Sequence, residues 1–229
     1  MFEQQADPDF FASRLLDWFA EHGREFPWRA TDDPYRILIC EVLLRRSRST
    51  TVAKVTDRFF ERWPIPADLA DADVDEVIEV IRPLGLTGRT SQLIALAQTL
   101  CDEPSFPSSV DELMSLPGVG LYAAAATLGM PTVDGTSARV YRRYFGRLST
   151  PDHKTVDDEL WELAGMVLPA DTDAVRNINW AVLDLAASTC APIRPRCDRC
   201  PLASRCAWAV APERSEYRSP PQAVVEPRR

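Results

Sequence analysis

With 229 residues, 45% of them hydrophobic, the chain can bury one or two sizeable cores. No apolar stretch at its start reads as a signal peptide and no run is long enough to span a bilayer, so the membrane classes are excluded and a reducing cytoplasm is expected. A net charge of −8 argues against a generic polyanion binder, which would carry a basic footprint.

In chain order the signal is helical throughout, and no segment alternates convincingly as a strand would. Phe10, Phe11, Leu15, Trp18 and Phe19 trace one apolar face before Gly23 stops the first helix. Asp33-Pro34 reads as an N-cap followed by proline at the first helical position, and the run from Ile37 to Leu44 is apolar except for Glu41. Helical patterns follow over 51–63, 72–82, 89–101, 109–115, 121–129, 136–146, 155–167 and 173–189, mostly separated by short turns bearing Pro or Gly. The tail after Ala211 is polar and proline-rich, a composition that predicts poor order.

Charge is unevenly spread. Lys54 and Lys154 are the two lysines, so 24 of the 26 basic residues are arginine, and several cluster: Arg45-Arg46-Ser47-Arg48, and Arg139 with Arg142-Arg143. Acidic residues gather elsewhere, as in Asp71 to Glu76. An acidic surface with a local arginine-lined face is compatible with binding DNA.

Near the C-terminus Cys190, Cys197, Cys200 and Cys206 are spaced C-x6-C-x2-C-x5-C. They lie too close together to staple a fold of this size, and four thiolates in so short a segment can wrap one compact iron–sulfur centre. A four-cysteine zinc site or loop disulfides are the alternatives, but structural zinc usually takes two close cysteine pairs and only Cys197 and Cys200 form one here. The remaining Cys40 and Cys101 sit in apolar contexts and are expected to be buried free thiols.

Leu116-Pro117-Gly118-Val119-Gly120 lies between two helical segments. Proline presets one turn torsion, the glycines permit positive φ and close approach of the backbone, and the next helix starts with amides that suit a phosphate. Such a hairpin grips the nucleic-acid backbone without reading bases, although PGVG by itself also suits an ordinary helix–helix turn. Val133-Asp134-Gly135 follows 14 residues later, and there Asp134 is also placed to cap a helix.

Together with Pro27-Trp28-Arg29, Pro34-Tyr35, Glu41-Val42-Leu43-Leu44 and Arg139-Val140, these motifs resemble the helix-hairpin-helix DNA glycosylases with an iron–sulfur loop, over about residues 10–210. That family includes endonuclease III, the adenine glycosylases and the thymine–guanine mismatch glycosylases. The resemblance implies an all-α, two-lobed fold: a six-helix lobe over 28–131 with the hairpin, and a cluster-bearing lobe from 1–27 and 132–210, with 211–229 as a tail. It further implies a [4Fe-4S] cluster on the four cysteines, and a nucleoid-associated monomer acting on double-stranded DNA with a mismatched or damaged base.

Such an enzyme hydrolyses the N-glycosidic bond of a base flipped out of the stack. Asp134 occupies the position of the carboxylate that stabilises the electron-deficient sugar, and Glu41 that of an acid acting on the departing base, a role its apolar neighbours would favour by raising its pKa. Bifunctional members carry a lysine where this chain has Tyr122, and a phenol cannot form a Schiff base, so a free base and an intact abasic strand are expected. Implied DNA contacts are Arg45, Arg46, Leu86, Gly118, Val119, Gly120 and Arg139. Trp28, Arg29 and Trp180 are the implied base-pocket positions.

Several departures from the adenine-glycosylase pattern favour thymine or uracil opposite guanine. Arg45-Arg46-Ser47 replaces a Gln-Gln-Thr insertion segment, Gly85-Leu86-Thr87-Gly88-Arg89 lacks an aromatic residue, and little chain follows the cluster. Trp180 fits neither pattern: it could stack on a flipped base, fill the pocket or pack in the core. An adenine glycosylase and a non-catalytic DNA-binding protein are the alternative functions.

Overall fold

The computed structural model describes residues 7–85, 87–146, 158–168 and 172–210. Among them the regular elements are all helical: α1 (Pro8–His22), α2 (Pro34–Leu44), α3 (Ser49–Arg62), α4 (Pro66–Ala70), α5 (Val74–Ile81), α6 (Thr90–Asp102), α7 (Val110–Ser115), α8 (Leu121–Thr127), α9 (Gly135–Phe145), α10 (Asp158–Met166), α11 (Thr172–Ser188) and α12 (Ala207–Val210), with short 3-10 turns between some of them. No described helix is long and apolar enough to cross a membrane.

Local chemistry sets most of the starts. Asp7, Asp33, Asp73, Ser109 and Asp134 each turn a side-chain oxygen onto amides of the first turn of the helix that follows, a contact typically contributing about 1 kcal/mol. Pro8 and Pro34 stand at first helical positions, where the missing N–H costs nothing. Helix α9 ends on Gly146 at φ 73°, and a Cβ there would also come within 3.1 Å of the Ala207 side chain.

The chain divides into two compact units, Arg24–Met130 and Met1–Gly23 with Pro131–Arg229. In the first, α4 packs on α6, α2 on α8, and α3 on α2 and α5. Its core includes Leu38, Ile39, Leu43, Phe59, Leu69, Ile81, Leu93 and Leu96, all essentially inaccessible. In the second, α1 packs on α11, and α9 contacts α10, α11 and α12. Phe11 is enclosed there by the rings of Tyr141, Tyr144 and Phe145. Burying one such side chain stabilises a fold by about 1.5–3 kcal/mol.

The structure departs from the sequence-based pattern in particular places. The short helices α4 and α12 carry too few residues to show a period. Cys40 is buried as expected, but Cys101 is exposed, because it falls in the last turn of α6 just before the helix ends. Arg142 and Arg143 are buried rather than part of a basic surface. The tail 211–229, Leu86 and Lys154 lie outside the described residues.

Candidate active site and cysteine pocket

In the unit formed by the two ends of the chain, Val133 is buried and the segment before Asp134 is anchored by Thr132, whose amide donates to Asn179 Oδ1 at 3.2 Å. Asp134 then caps α9. Its Oδ1 accepts from the amides of Thr136 (2.8 Å) and Ser137 (2.7 Å), and its own amide donates to Ser137 Oγ at 2.9 Å. This reciprocal arrangement locks the half-buried carboxylate in one orientation. Both helix bonds fall on Oδ1; among the described residues no hydrogen bond falls on Oδ2. Asn179 had no role in the sequence reading. Its one available signal was a polar residue between the apolar positions Ile178 and Trp180 of α11. Trp180 itself is half-buried, neither a core residue nor a fully open one.

Further along α9, Arg139 donates to the carbonyls of Cys190 (2.9 Å) and Ala186 (3.2 Å). Its guanidinium is therefore engaged with the end of α11 and the start of the cysteine loop. One turn later the buried Arg143 donates to the Ala191 and Pro192 carbonyls, both at 2.8 Å, and to Cys190 Sγ at 3.4 Å. It also lies over the Trp208 ring. These carbonyl acceptors explain why Arg143, part of a cluster that looked like a surface patch, is folded inward. Tyr141, fully buried on the same helix, has a phenol pushed to higher pKa by burial and then by Asp134, and its Oη finds no hydrogen-bond partner among the described residues.

Cys190, Cys197, Cys200 and Cys206 all line one small pocket together with Leu202 and Trp208. The loop is closed by the Arg196 amide donating to Thr189 O at 2.8 Å, and the Cys206 thiol reaches Arg143 O at 3.4 Å. Among the described residues no three His, Cys, Asp or Glu side chains converge as they would on a single metal ion, where sulfurs must lie roughly 2.3 Å from one centre. Four cysteines lining one pocket are a donor set of the kind that iron–sulfur clusters take. Burial first, and then the neighbouring sulfurs, push the Cys200 thiol up to about 12 and the Cys206 thiol up to about 11, so bound cationic iron is what would bring these groups to the thiolate state. Arg194, Arg196 and Arg199 of the same loop are exposed.

In the Arg24–Met130 unit, Glu41 is half-buried on α2 although Ile37 to Cys40, Val42 and Leu43 are all buried. Position 41 lies at the edge of the buried face. Burial and then Glu41 raise the pKa of the neighbouring Cys40 thiol. Trp28 is buried and stacked on Phe26, and Arg29 lies over the same Phe26 ring while donating to Arg24 O at 2.8 Å. Trp28 also lines a cavity of about 280 Å³ with Arg36, Cys40, Thr56, Asp57 and Glu61. Glu41 is not in that lining, so this cavity does not bring Trp28 and Glu41 together.

The hairpin joins α7 to α8 through Leu116 to Gly120. Gly118 holds φ 79°, while Gly120 is extended at φ −111° with open space where a Cβ would point. Positive φ is thus required at the first glycine only, and the second leaves the backbone open. Val119 is buried, its amide donating to Leu116 O at 3.2 Å. Tyr122, in the first turn of α8, is half-buried. Between α2 and α3 the exposed Arg45 and Arg46 form a turn in which Arg46 takes φ 65°, the single positive-φ non-glycine among the described residues.

A family model described as HhH-GPD superfamily base excision DNA repair protein matches residues 39–166. Over 207 residues the chain is 36% identical to a thymine-DNA glycosylase of Aeropyrum pernix, covering 85% of this chain and 92% of that protein. It is 32% identical over 223 residues to an adenine DNA glycosylase of Mus musculus, covering 90% of this chain and 43% of that protein. Among solved structures, a thermostable thymine-DNA glycosylase superposes with a TM-score of 0.81 at 33% identity, over 88% of this chain and 96% of that one.

Proposed function

Because the chain belongs to the HhH-GPD superfamily of base excision DNA repair proteins, we propose that it is a monofunctional DNA glycosylase that hydrolyses the N-glycosidic bond of thymine or uracil opposite guanine. The observation that carries this reading is the 36% identity to a thymine-DNA glycosylase over nearly all of that protein's length. Tyr122, Arg45 and Arg46 support it, standing where strand-cleaving members have a lysine and adenine glycosylases a Gln-Gln-Thr segment.

The chemistry divides among named groups. The helix cap holds Asp134 by Oδ1 and leaves Oδ2 to face the anomeric carbon, where a fixed negative charge stabilises the electron-deficient sugar as the bond to the base breaks. Glu41 acts on the leaving base, holding or donating a proton. Water completes the hydrolysis, and Tyr122, with no amine to attack C1′, ends the reaction at the abasic strand. Gly118 to Gly120 grip a phosphate of the DNA backbone, while Trp28, Arg29 and Trp180 border the flipped base.

A [4Fe-4S] cluster would be held by Cys190, Cys197, Cys200 and Cys206, where it would supply structure by fixing the loop that carries Arg194, Arg196 and Arg199. Arg139 and Arg143 tie that loop to α9, the helix that Asp134 caps.

Labelled duplexes containing G·T, G·U, A·8-oxoguanine or A·G test the reading. Cleavage of the T or U strand that appears only after hot alkali is the expected result. Cleavage confined to the A strand would assign the chain to the adenine branch, and cleavage without alkali would remove the monofunctional assignment.

A further inference from the structure

The turn between α2 and α3 carries a conformational cost that its sequence did not have to incur. The chain leaves α2 through Arg45 and passes through Arg46 at φ 65°, and the Ser47 amide closes the turn onto Leu44 O at 3.0 Å. Glycine or asparagine occupies the left-handed region readily, whereas an arginine is disfavoured there. A disfavoured backbone persists where the surroundings hold it, and such places cluster at functional sites.

The surroundings are visible. Arg89, 44 residues further on and half-buried, donates Nη1 to Arg45 O at 3.1 Å. Ser47 Oγ lies 3.5 Å from Leu84 O, a weaker tie to the same α5–α6 connection. The clamp is itself electrostatically unfavourable: burial, and after it the charges of Arg45 and Arg46, make the charged form of Arg89 less favourable than usual. The Arg89 guanidinium is thus held against the backbone of a turn that carries two further exposed arginines, a concentration of positive charge that a polyanion stabilises.

We propose that Arg89 is a positioning residue that clamps the Arg45–Arg46 turn in its left-handed conformation, so that Arg46 is ready to enter the duplex at the gap left by an extruded base. This rests on reading the chain as a base-flipping glycosylase. Arg89 acts through the turn and not on the base.

Two variants test the clamp. Arg89→Ala removes the donor, and Arg89→Lys keeps an N–H donor on a stem only one bond shorter. In the protein without DNA, hydrogen exchange at the Ser47 amide is expected to speed about tenfold in Arg89→Ala and to return toward the wild-type rate in Arg89→Lys. With a G·T duplex carrying 2-aminopurine beside the thymine, base extrusion and single-turnover excision are expected to slow about tenfold in Arg89→Ala, with recovery in Arg89→Lys. Unchanged Ser47 exchange in Arg89→Ala would overturn the clamp, and faster exchange with unchanged extrusion would overturn its purpose. Arg46→Gly, which keeps the turn's backbone and removes the side chain, tests the underlying reading: normal extrusion there would remove Arg46 from the duplex while leaving the exchange result on Arg89 intact.

Discussion

Asp134 combines two tasks that are often given to different residues. As a helix cap it accepts from two amides on Oδ1, and as the proposed electrostatic catalyst it needs a charge at a fixed place. Asparagine caps about as well as aspartate but carries no charge. Asp134→Asn is therefore expected to keep its melting temperature and DNA affinity while excision falls by at least about 100-fold, read by single-turnover assay beside thermal melting. Persisting base release in that variant would move the chemistry to another residue. Tyr141 offers a contrasting test. Its buried Oη lacks a partner among the described residues, and an unsatisfied buried hydroxyl costs about 1–3 kcal/mol. Tyr141→Phe is expected to hold or raise the melting temperature, and a fall of several degrees would show that the hydroxyl is satisfied in solution.

The elements that meet DNA in the proposed reading are turns, each shaped by one backbone requirement. At the hairpin that requirement is Gly118, whose φ of 79° L side chains rarely adopt. Gly118→Ala is expected to destabilise the protein by about 1–2 kcal/mol and to weaken binding to an undamaged duplex, since the phosphate grip depends on the turn's shape. Fluorescence anisotropy checks this, and unaltered affinity would place the phosphate contact elsewhere. Helix α9 is the other decisive element. It begins at Asp134, ends at Gly146, and between them sends Arg139 and Arg143 into the carbonyls of residues 186 and 190–192. Loss of the proposed cluster should therefore disturb α9 as well as the loop. Cys200→Ser is expected to lose the visible absorption of an iron–sulfur centre, speed exchange of the 190–206 amides and lower excision. A variant that kept full iron content would contradict the assignment of Cys200 as a ligand.

At the scale of the whole molecule, carboxylates tie distant parts of the sequence together. Asp7 accepts from the Phe10 amide, pairs with Arg205 and offers its carbonyl to Tyr144, so the first described residue is held by the C-terminal segment. The Phe10 amide, and then Arg205 acting against partial desolvation, hold the Asp7 carboxyl below its usual 3.8. Arg58 holds Glu79, and the amides of Ser108 and Ser109 hold Glu112, below the usual 4.5. A depressed folded-state pKa contributes stability that is fully present above the unfolded value and is lost as pH falls through the folded one. The melting temperature is thus expected to be level near neutrality and to fall as pH drops below about 4.5, with a shallower fall in Asp7→Asn. A net charge of −8 adds that DNA binding depends on local arginines, so affinity should drop steeply with salt.

Helix content, the Asp33 and Asp134 starts, the hairpin and the cysteine spacing were legible in the chain because each depends on residues within a few positions of one another. Caps, proline and glycine act through local torsions and amides, and an apolar period shows which face of a helix is buried. Tertiary structure decided what those residues do once formed. Arg139, Arg142 and Arg143 looked like surface charge until the carbonyls at the end of α11 and in the cysteine loop gave Arg139 and Arg143 acceptors within the fold. Glu41 looked enclosed until α2 was packed and its position proved to lie at the edge of the buried face. Asn179 and Arg89 had no visible role at all, because their partners lie 47 and 44 residues away. A hydrogen bond across such a separation is set by which helices pack together, and no local pattern encodes it.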